Sequence, residues 1–185
     1  MKRLHRYGFR PFAIIIAIML VISIFPTPLS AQQIDFTALL RKVVPNADRF
    51  SQLSQQVSYS SQKLTQAIFP AYRGSDQVAA VFYSTPNGYS GKLYTLTVLD
   101  MKGVVQKVSV FSHTETPAYV TALNDGRFLR QFDGISLLDK MAFLIGKTAQ
   151  TKGDIVAISG ATDTSKPIAL AVSEARKLFV EIYGS

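Results

Sequence analysis

Toward the C-terminus the apolar residues Ile168, Val172, Ala175, Phe179 and Ile182 recur at spacings of 4, 3, 4 and 3, and Ala171 and Leu178 widen the stripe. That period lines them along one side of a helix, while Ser173, Glu174, Arg176, Lys177 and Glu181 fill the other side. A helix with a single apolar face must bury it against another layer, and it is not a membrane element. Ser165 is the best N-cap, Pro167 falls in the first turn where its missing N–H costs little, and Tyr183-Gly184-Ser185 closes the helix. The layer that receives this helix has to come from upstream.

From Thr65 the apolar period changes to that of strands. Gln66–Tyr72 and Gln77–Ser84 read as two strands joined by a turn at Arg73-Gly74-Ser75-Asp76. Pro86-Asn87-Gly88 signals a second turn, and Lys92–Leu99 is a strand with Tyr94, Leu96 and Val98 on one face. Asp100-Met101-Lys102-Gly103 then turns into Val104–Ser112, where Val104, Val108 and Val110 share a face. The fold class is α+β: an antiparallel β-meander packed by the C-terminal amphipathic helix. A signal or anchor segment and a short helix precede the sheet. Asp35 caps that short helix, Phe36, Leu39, Leu40 and Val43 form its stripe, Pro45 ends it, and Asn46–Phe50 reads as a further turn. Beyond the meander, Ala118–Leu123 and Phe128–Phe132 read as short segments separated at Asn124-Asp125-Gly126. Leu137–Ile145 is a short helix or a strand, and Asp154–Ile158 a buried strand that runs into the last helix.

Four basic residues, Lys2, Arg3, Arg6 and Arg10, precede an uncharged run whose apolar centre is Phe12–Phe25. Fourteen strongly apolar residues suit the core of an export signal better than a full span of about 20 residues. Pro26-Thr27-Pro28 breaks the helix before Leu29-Ser30-Ala31, a small-residue cleavage site; retention as an anchor is the other outcome, and both place the body outside the cytoplasm. The resulting organisation is residues 1–31 as signal or anchor, 32–64 as short helix and Ser/Gln-rich linker, and 65–185 as the main domain. Without residues 1–31 the excess of basic over acidic residues drops from eight to four, and no basic run with interleaved aromatics remains to support nucleic-acid binding. The absence of cysteine excludes disulfides, thiolate metal sites and a cysteine nucleophile.

Ser159-Gly160-Ala161-Thr162-Asp163-Thr164-Ser165 joins a small, hydroxyl-rich turn to the start of the last helix. A helix start offers unpaired N–H groups and the positive end of the macrodipole, so this junction suits a phosphate; an ordinary capped helix start is the alternative reading. The chain has neither the dinucleotide-binding nor the P-loop glycine pattern. His113, the one histidine of the mature body, stands beside Glu115 in the polar loop 112–117, where a structural role outweighs a metal pair. No set of nucleophile, base and orienting residue is visible, so a hydrolase has no support.

Three stretches together resemble the FMN-binding domain of exported redox flavoproteins. That domain is found in the flavoprotein subunits of the Rnf complex and of the sodium-translocating NADH:quinone reductase, and in the N-terminal part of the nitrous-oxide-respiration protein NosR. Ser159-Gly160-Ala161-Thr162 matches the family's flavinylation motif, His113-x-Glu115-Thr116-Pro117 looks like the start of its H-x-E-T-P-G-x-G loop, and Gly88-Tyr89-Ser90-Gly91 with Phe128-x-x-x-Phe132-x-Gly134 looks like its glycine-tyrosine turn and F-x-G segment. The resemblance runs from about residue 65 to residue 183. It implies FMN esterified through its phosphate to Thr162, with Ser159, Gly160, Ala161, Thr164, Ser165, His113, Glu115, Thr116, Pro117 and Tyr89 around the cofactor. It also implies a flavin transferase for maturation and membrane electron-transport proteins as donor or acceptor, at the periplasmic or extracytoplasmic face of the membrane. The chain departs from the pattern at Val156, where the family carries an acid, and at Ala118-Tyr119-Val120, where it carries G-x-G. Those departures keep open a second expectation, a non-redox binding or assembly module on the same fold without covalent flavin.

Overall fold

A computed structural model describes residues 35–53, 64–124 and 126–184. The expected export segment, residues 54–63 of the Ser/Gln-rich stretch, and Asp125 lie outside the described residues. Four long strands, β2 (Thr65–Arg73), β3 (Asp76–Ser84), β4 (Leu93–Asp100) and β5 (Val105–His113), follow one another as the alternation and turns predict. With the two-residue β1 (Arg49–Phe50) they form one antiparallel sheet in the order β1-β2-β3-β4-β5, a meander.

Each face of this sheet is covered by a helix. On one face, Ile68, Phe82, Leu93, Leu99, Val105 and Val108 meet Ile168, Val172, Ala175, Leu178 and Phe179 of α4 (Thr162–Tyr183). On the other, Phe69, Ala71, Val81, Leu96 and Val98 meet Leu40, Val43 and Val44 of α1 (Phe36–Val43) and its C-cap. Burial on both sides explains why β4 hides nearly every residue instead of alternating with solvent. The Asp35 carboxylate accepts the N–H of Ala38 at 3.2 Å, the cap its position predicts. Phe36 stacks on Phe69 with centroids 5.6 Å apart and meets Tyr83 edge-on at 5.1 Å, which locks α1 onto the sheet.

Two local readings differ from the structure, and a third, open between helix and strand, is decided by it. Asn46–Phe50, read as a helical turn, ends in β1, because pairing with the free side of β2 outweighs local propensity: Asp48 N–H reaches Tyr72 O at 2.9 Å, and its carboxylate takes Gly74 N–H at 2.7 Å. In β5 the residue facing the core is Val105, not Val104. A bulge between Lys107 and Val105, opposite Val98 and Leu99, brings Val105 and Val108 to the same core. The run Leu137–Ile145 resolves as β6 (Ala142–Leu144), which pairs in parallel with β7 (Asp154–Val156), a two-stranded sheet that the meander pattern did not foreshadow. Of β7 only Ile155 is buried.

Between β5 and β6 the chain makes α2 (Pro117–Asn124) and α3 (Arg127–Arg130). Phe128 and Phe132 pack edge-on with centroids 5.5 Å apart and belong to the core rather than to an open cleft. Two side chains assigned to the solvent face of α4 are anchors. Arg176 is buried and its Nη2 donates to the carbonyls of Ser136 and Asp139, both at 2.6 Å; the Glu174 carboxylate accepts the N–H groups of Leu64 and Thr65 at 3.1 Å. Among the described residues, no helix is long and apolar enough to cross a membrane.

Candidate functional site

The start of α4 follows directly from β7. Ala157 N–H still bonds Leu144 O at 2.8 Å, the chain turns at Ser159-Gly160, and Ala161 N–H closes the turn on Ile158 O at 3.0 Å. Gly160 has a φ of +77°, in the left-handed region that glycine enters at little cost, and an added Cβ would meet open space. Helix α4 then begins at Thr162, four residues before the sequence places it, with Ala161 at the N-cap position and no side-chain cap. Ser165, expected as the cap, is buried in the first turn. Its N–H already returns to Ala161 O at 3.0 Å and its hydroxyl also donates to that carbonyl at 2.9 Å, so back-bonding replaces capping. Pro167 therefore lies beyond the first turn, where its missing N–H leaves the Asp163 carbonyl without its intrahelical partner.

Glu115 joins the three stretches quoted from the sequence. It is 4% exposed, and Oε1 accepts the N–H of Tyr89 and the hydroxyl of Thr164, each at 2.6 Å; Oε2 accepts the N–H of Ser90 at 2.7 Å and its hydroxyl at 3.1 Å. Burial pushes the carboxyl pKa up, but the hydrogen bonds from Thr164, Ser90 and Tyr89 outweigh it and hold the group below the ordinary carboxylate value. Around this centre Thr116 N–H donates to Ser90 Oγ at 2.9 Å, His113 Nδ1 lies 3.1 Å from Glu115 O, and Lys92 N–H donates to Thr114 Oγ1 at 2.7 Å. The fit is close enough to demand glycine. A Cβ at Gly88 would stand 2.7 Å from Glu115 Oε1, and one at Gly91 would stand 2.3 Å from Thr114 O.

An open pocket of about 280 Å³ lies at the helix start, lined by Tyr89, Gly160, Ala161, Thr162, Asp163 and Thr164. Thr162 is half-buried there and Tyr89 is 62% exposed. Of the predicted site residues, Tyr89, Gly160, Ala161, Thr162 and Thr164 thus share one pocket. Ser159 is exposed at the preceding turn, Ser165 is turned inward, and Glu115 lies beneath the lining. His113 at the end of β5, Thr116 in the loop that follows and Pro117 at the start of α2 are all exposed. Asp163 and Ser90 belong to the same construction and were not singled out as site residues; both stand inside motifs already quoted, and that adjacency is the signal that marks them.

Both departures from the family pattern have a structural setting. Val156 is held by the side-chain amide of Gln131, which accepts the Val156 N–H at 2.8 Å and donates to its carbonyl at 3.1 Å. Asp154, the nearest acid, bonds the N–H groups of Gln150 and Thr151 at 2.8 Å instead, so it braces the preceding loop. Ala118-Tyr119-Val120 lies in α2, so the backbone there is helical and asks for no glycine. The residues present suit the phosphate end of FMN: an open hydroxyl, helix-start N–H groups without intrahelical partners, and clearance at Gly160.

Residues 88–177 match the FMN-binding domain family. The chain is 28% identical over 159 residues to a component of the ion-translocating oxidoreductase complex of Stutzerimonas stutzeri, covering 78% of this chain and 65% of that protein. It is 29% identical over 138 residues to a component of the proton-translocating ferredoxin:NAD(+) oxidoreductase complex of Clostridium ljungdahlii, covering 74% of this chain and 67% of the relative. The chain thus spans about two thirds of the length of these relatives. The crystal structure of Shewanella oneidensis NqrC shares the fold, with a TM-score of 0.55 at 18% identity over 77% of this chain and 74% of that one.

Proposed function

We propose that the chain, whose residues 88–177 match the FMN-binding domain family, carries one FMN joined through its phosphate to Thr162, and that it relays electrons rather than converting a substrate alone. The observation that carries this reading is the open pocket in which Thr162 stands at the first position of α4, beside an exposed aromatic ring and a glycine that leaves room. When bound, FMN supplies reversible electron uptake. The chain's residues supply the anchor. Thr162 contributes the ester oxygen, the N–H groups of Thr162 and Asp163 and the helix dipole stabilise the remaining phosphate charge, and Tyr89 offers a flat face next to it. His113, Thr116 and Pro117 form the outer side of the site.

An ester between a free phosphate and a hydroxyl forms only with loss of water, which is unfavourable in water. The donor is therefore a flavin dinucleotide: its phosphoanhydride bond breaks as the Thr162 Oγ–P bond forms, and the hydroxyl proton leaves with the released nucleotide monophosphate. A flavin transferase performs this step. The names of the relatives, which belong to ion-translocating oxidoreductase complexes, support membrane electron-transport proteins as donor and acceptor. The basic start and apolar run of residues 1–31 support export, and a covalent link then keeps the cofactor from being diluted away.

Intact-mass measurement of the full chain, co-expressed with a flavin transferase, tests the reading. The expected result is a yellow protein heavier by one FMN less one water, and an unmodified Thr162→Ala variant. An unmodified, colourless wild type overturns covalent attachment; failure to bind free FMN as well favours the non-redox module.

A further inference from the structure

The pocket at Thr162 has two walls from distant parts of the chain: Tyr89, between β3 and β4, and residues 160–164, at the start of α4. Glu115 lines neither wall and bonds to both. One carboxylate oxygen takes the Tyr89 N–H and the Thr164 hydroxyl, each at 2.6 Å, and the other takes Ser90 N–H at 2.7 Å. All of these partners are donors, so the position calls for an acceptor-only group. A carboxylate provides that, and short charge-assisted bonds hold their geometry better than neutral ones.

The same arrangement sorts the hydroxyls of the helix start. Thr164 is fully buried and committed to Glu115, and Ser165 is fully buried and committed to Ala161 O. Thr162 and Thr164 both line the pocket, but of the two only Thr162 has an Oγ1 with no hydrogen-bond partner among the described residues. We propose that Glu115 is a positioning residue for flavin attachment: by tying Tyr89 to Thr164 it fixes the separation of the pocket walls and presents Thr162, not Thr164, to the incoming phosphate. This rests on Thr162 as the attachment point. Glu115 itself touches no phosphate and acts through the first turn of α4.

The test compares initial rates of FMN attachment to the unmodified full chain by purified transferase and a flavin dinucleotide, at a temperature where circular dichroism shows every variant folded. Glu115→Gln sets an NH₂ group against N–H and O–H donors. Thr164→Val removes one hydroxyl at nearly constant shape and leaves the other three bonds to Glu115 in place. Both are expected to slow attachment at least tenfold, and Thr164→Ser, which keeps the hydroxyl, is expected to stay within twofold of wild type. Val172→Ala is the control for lost stability: it removes core contacts of α4 away from the pocket and is expected to keep the wild-type rate. Folded Glu115→Gln and Thr164→Val modified at the wild-type rate overturn the proposal. If Glu115→Gln does not fold, Thr164→Val decides alone. A wild type that accepts no FMN overturns the Thr162 reading first, and the positioning role with it.

Discussion

Alanine at Gly91, Gly88 and Gly160 should rank in that order of damage to stability, for three different reasons. At Gly91 the new Cβ would stand 2.3 Å from Thr114 O and 2.4 Å from Thr114 Oγ1. The first of these is backbone, so relief requires the entry to β4 and the 113–117 loop to spread. That motion breaks Thr114 N–H to Lys92 O at 2.9 Å and Lys92 N–H to Thr114 Oγ1 at 2.7 Å. Two hydrogen bonds at about 1 kcal/mol each, plus overpacking of about 1–3 kcal/mol, give about 3–5 kcal/mol. At Gly88 the Cβ would meet the Glu115 carboxylate at 2.7–2.9 Å, a side-chain end that four hydrogen bonds hold in place. Partial loss of those bonds costs about 2 kcal/mol. At Gly160 an added Cβ meets nothing within 4 Å, so only the φ of +77° opposes it, at about 1–2 kcal/mol. Urea unfolding of the three variants, read by far-UV circular dichroism, measures the order. Gly160→Ala costing as much as Gly91→Ala would refute the reasoning, because it would mean that backbone conformation and not interloop clearance governs this site.

The acid limb of stability should depend on Glu115. Its folded pKa is below the ordinary value near 4.5, so its contribution is complete above that value and is lost as pH falls through the folded pKa; Glu115→Gln should flatten this limb in pH-dependent urea melts. Glu174 has the opposite sign. Burial raises its pKa against the hydrogen bonds from Thr65 and Leu64, so its contribution is full below about 4.5 and declines as pH rises through the folded pKa; a Glu174→Gln variant should lose that rise on acidification. Arg176→Met keeps the apolar stem but removes two charge-assisted bonds to Ser136 O and Asp139 O, and should cost about 2–4 kcal/mol with increased proteolysis at residues 136–141.

Much of the fold is legible because it is written in local periods and turn residues. The stripe from Ile168 to Ile182 and the runs around Ile68, Phe82, Leu96 and Val108 state which faces are buried, and Asp35 marks a helix start that the structure keeps. What failed to show had a tertiary cause. Val105 replaces Val104 in the core because a bulge changes the parity of β5, and a bulge depends on the neighbouring strand. Arg176 and Glu174 look like solvent residues by helical position, yet each finds backbone partners about 40 and 110 residues away along the chain. Ser165 looks like a cap, but the helix starts earlier because the turn from β7 brings the Ala161 carbonyl to the N–H groups of Thr164 and Ser165.

The sequence alone determined the types and order of the main elements, from the first helix through the four long strands to the last helix, and the presence of the Ser159–Thr162, His113–Pro117 and Gly88–Gly91 motifs, since each is a matter of residue chemistry within a few neighbours. It left them as three separate strings. Only the tertiary structure decided that one buried carboxylate, Glu115, binds the Tyr89-Ser90 turn and the start of α4 together and leaves Thr162 at the pocket. The reason is physical: a carboxylate is selected for this place by donors that arrive from 25, 26 and 49 residues away, and no local pattern records where those donors will meet.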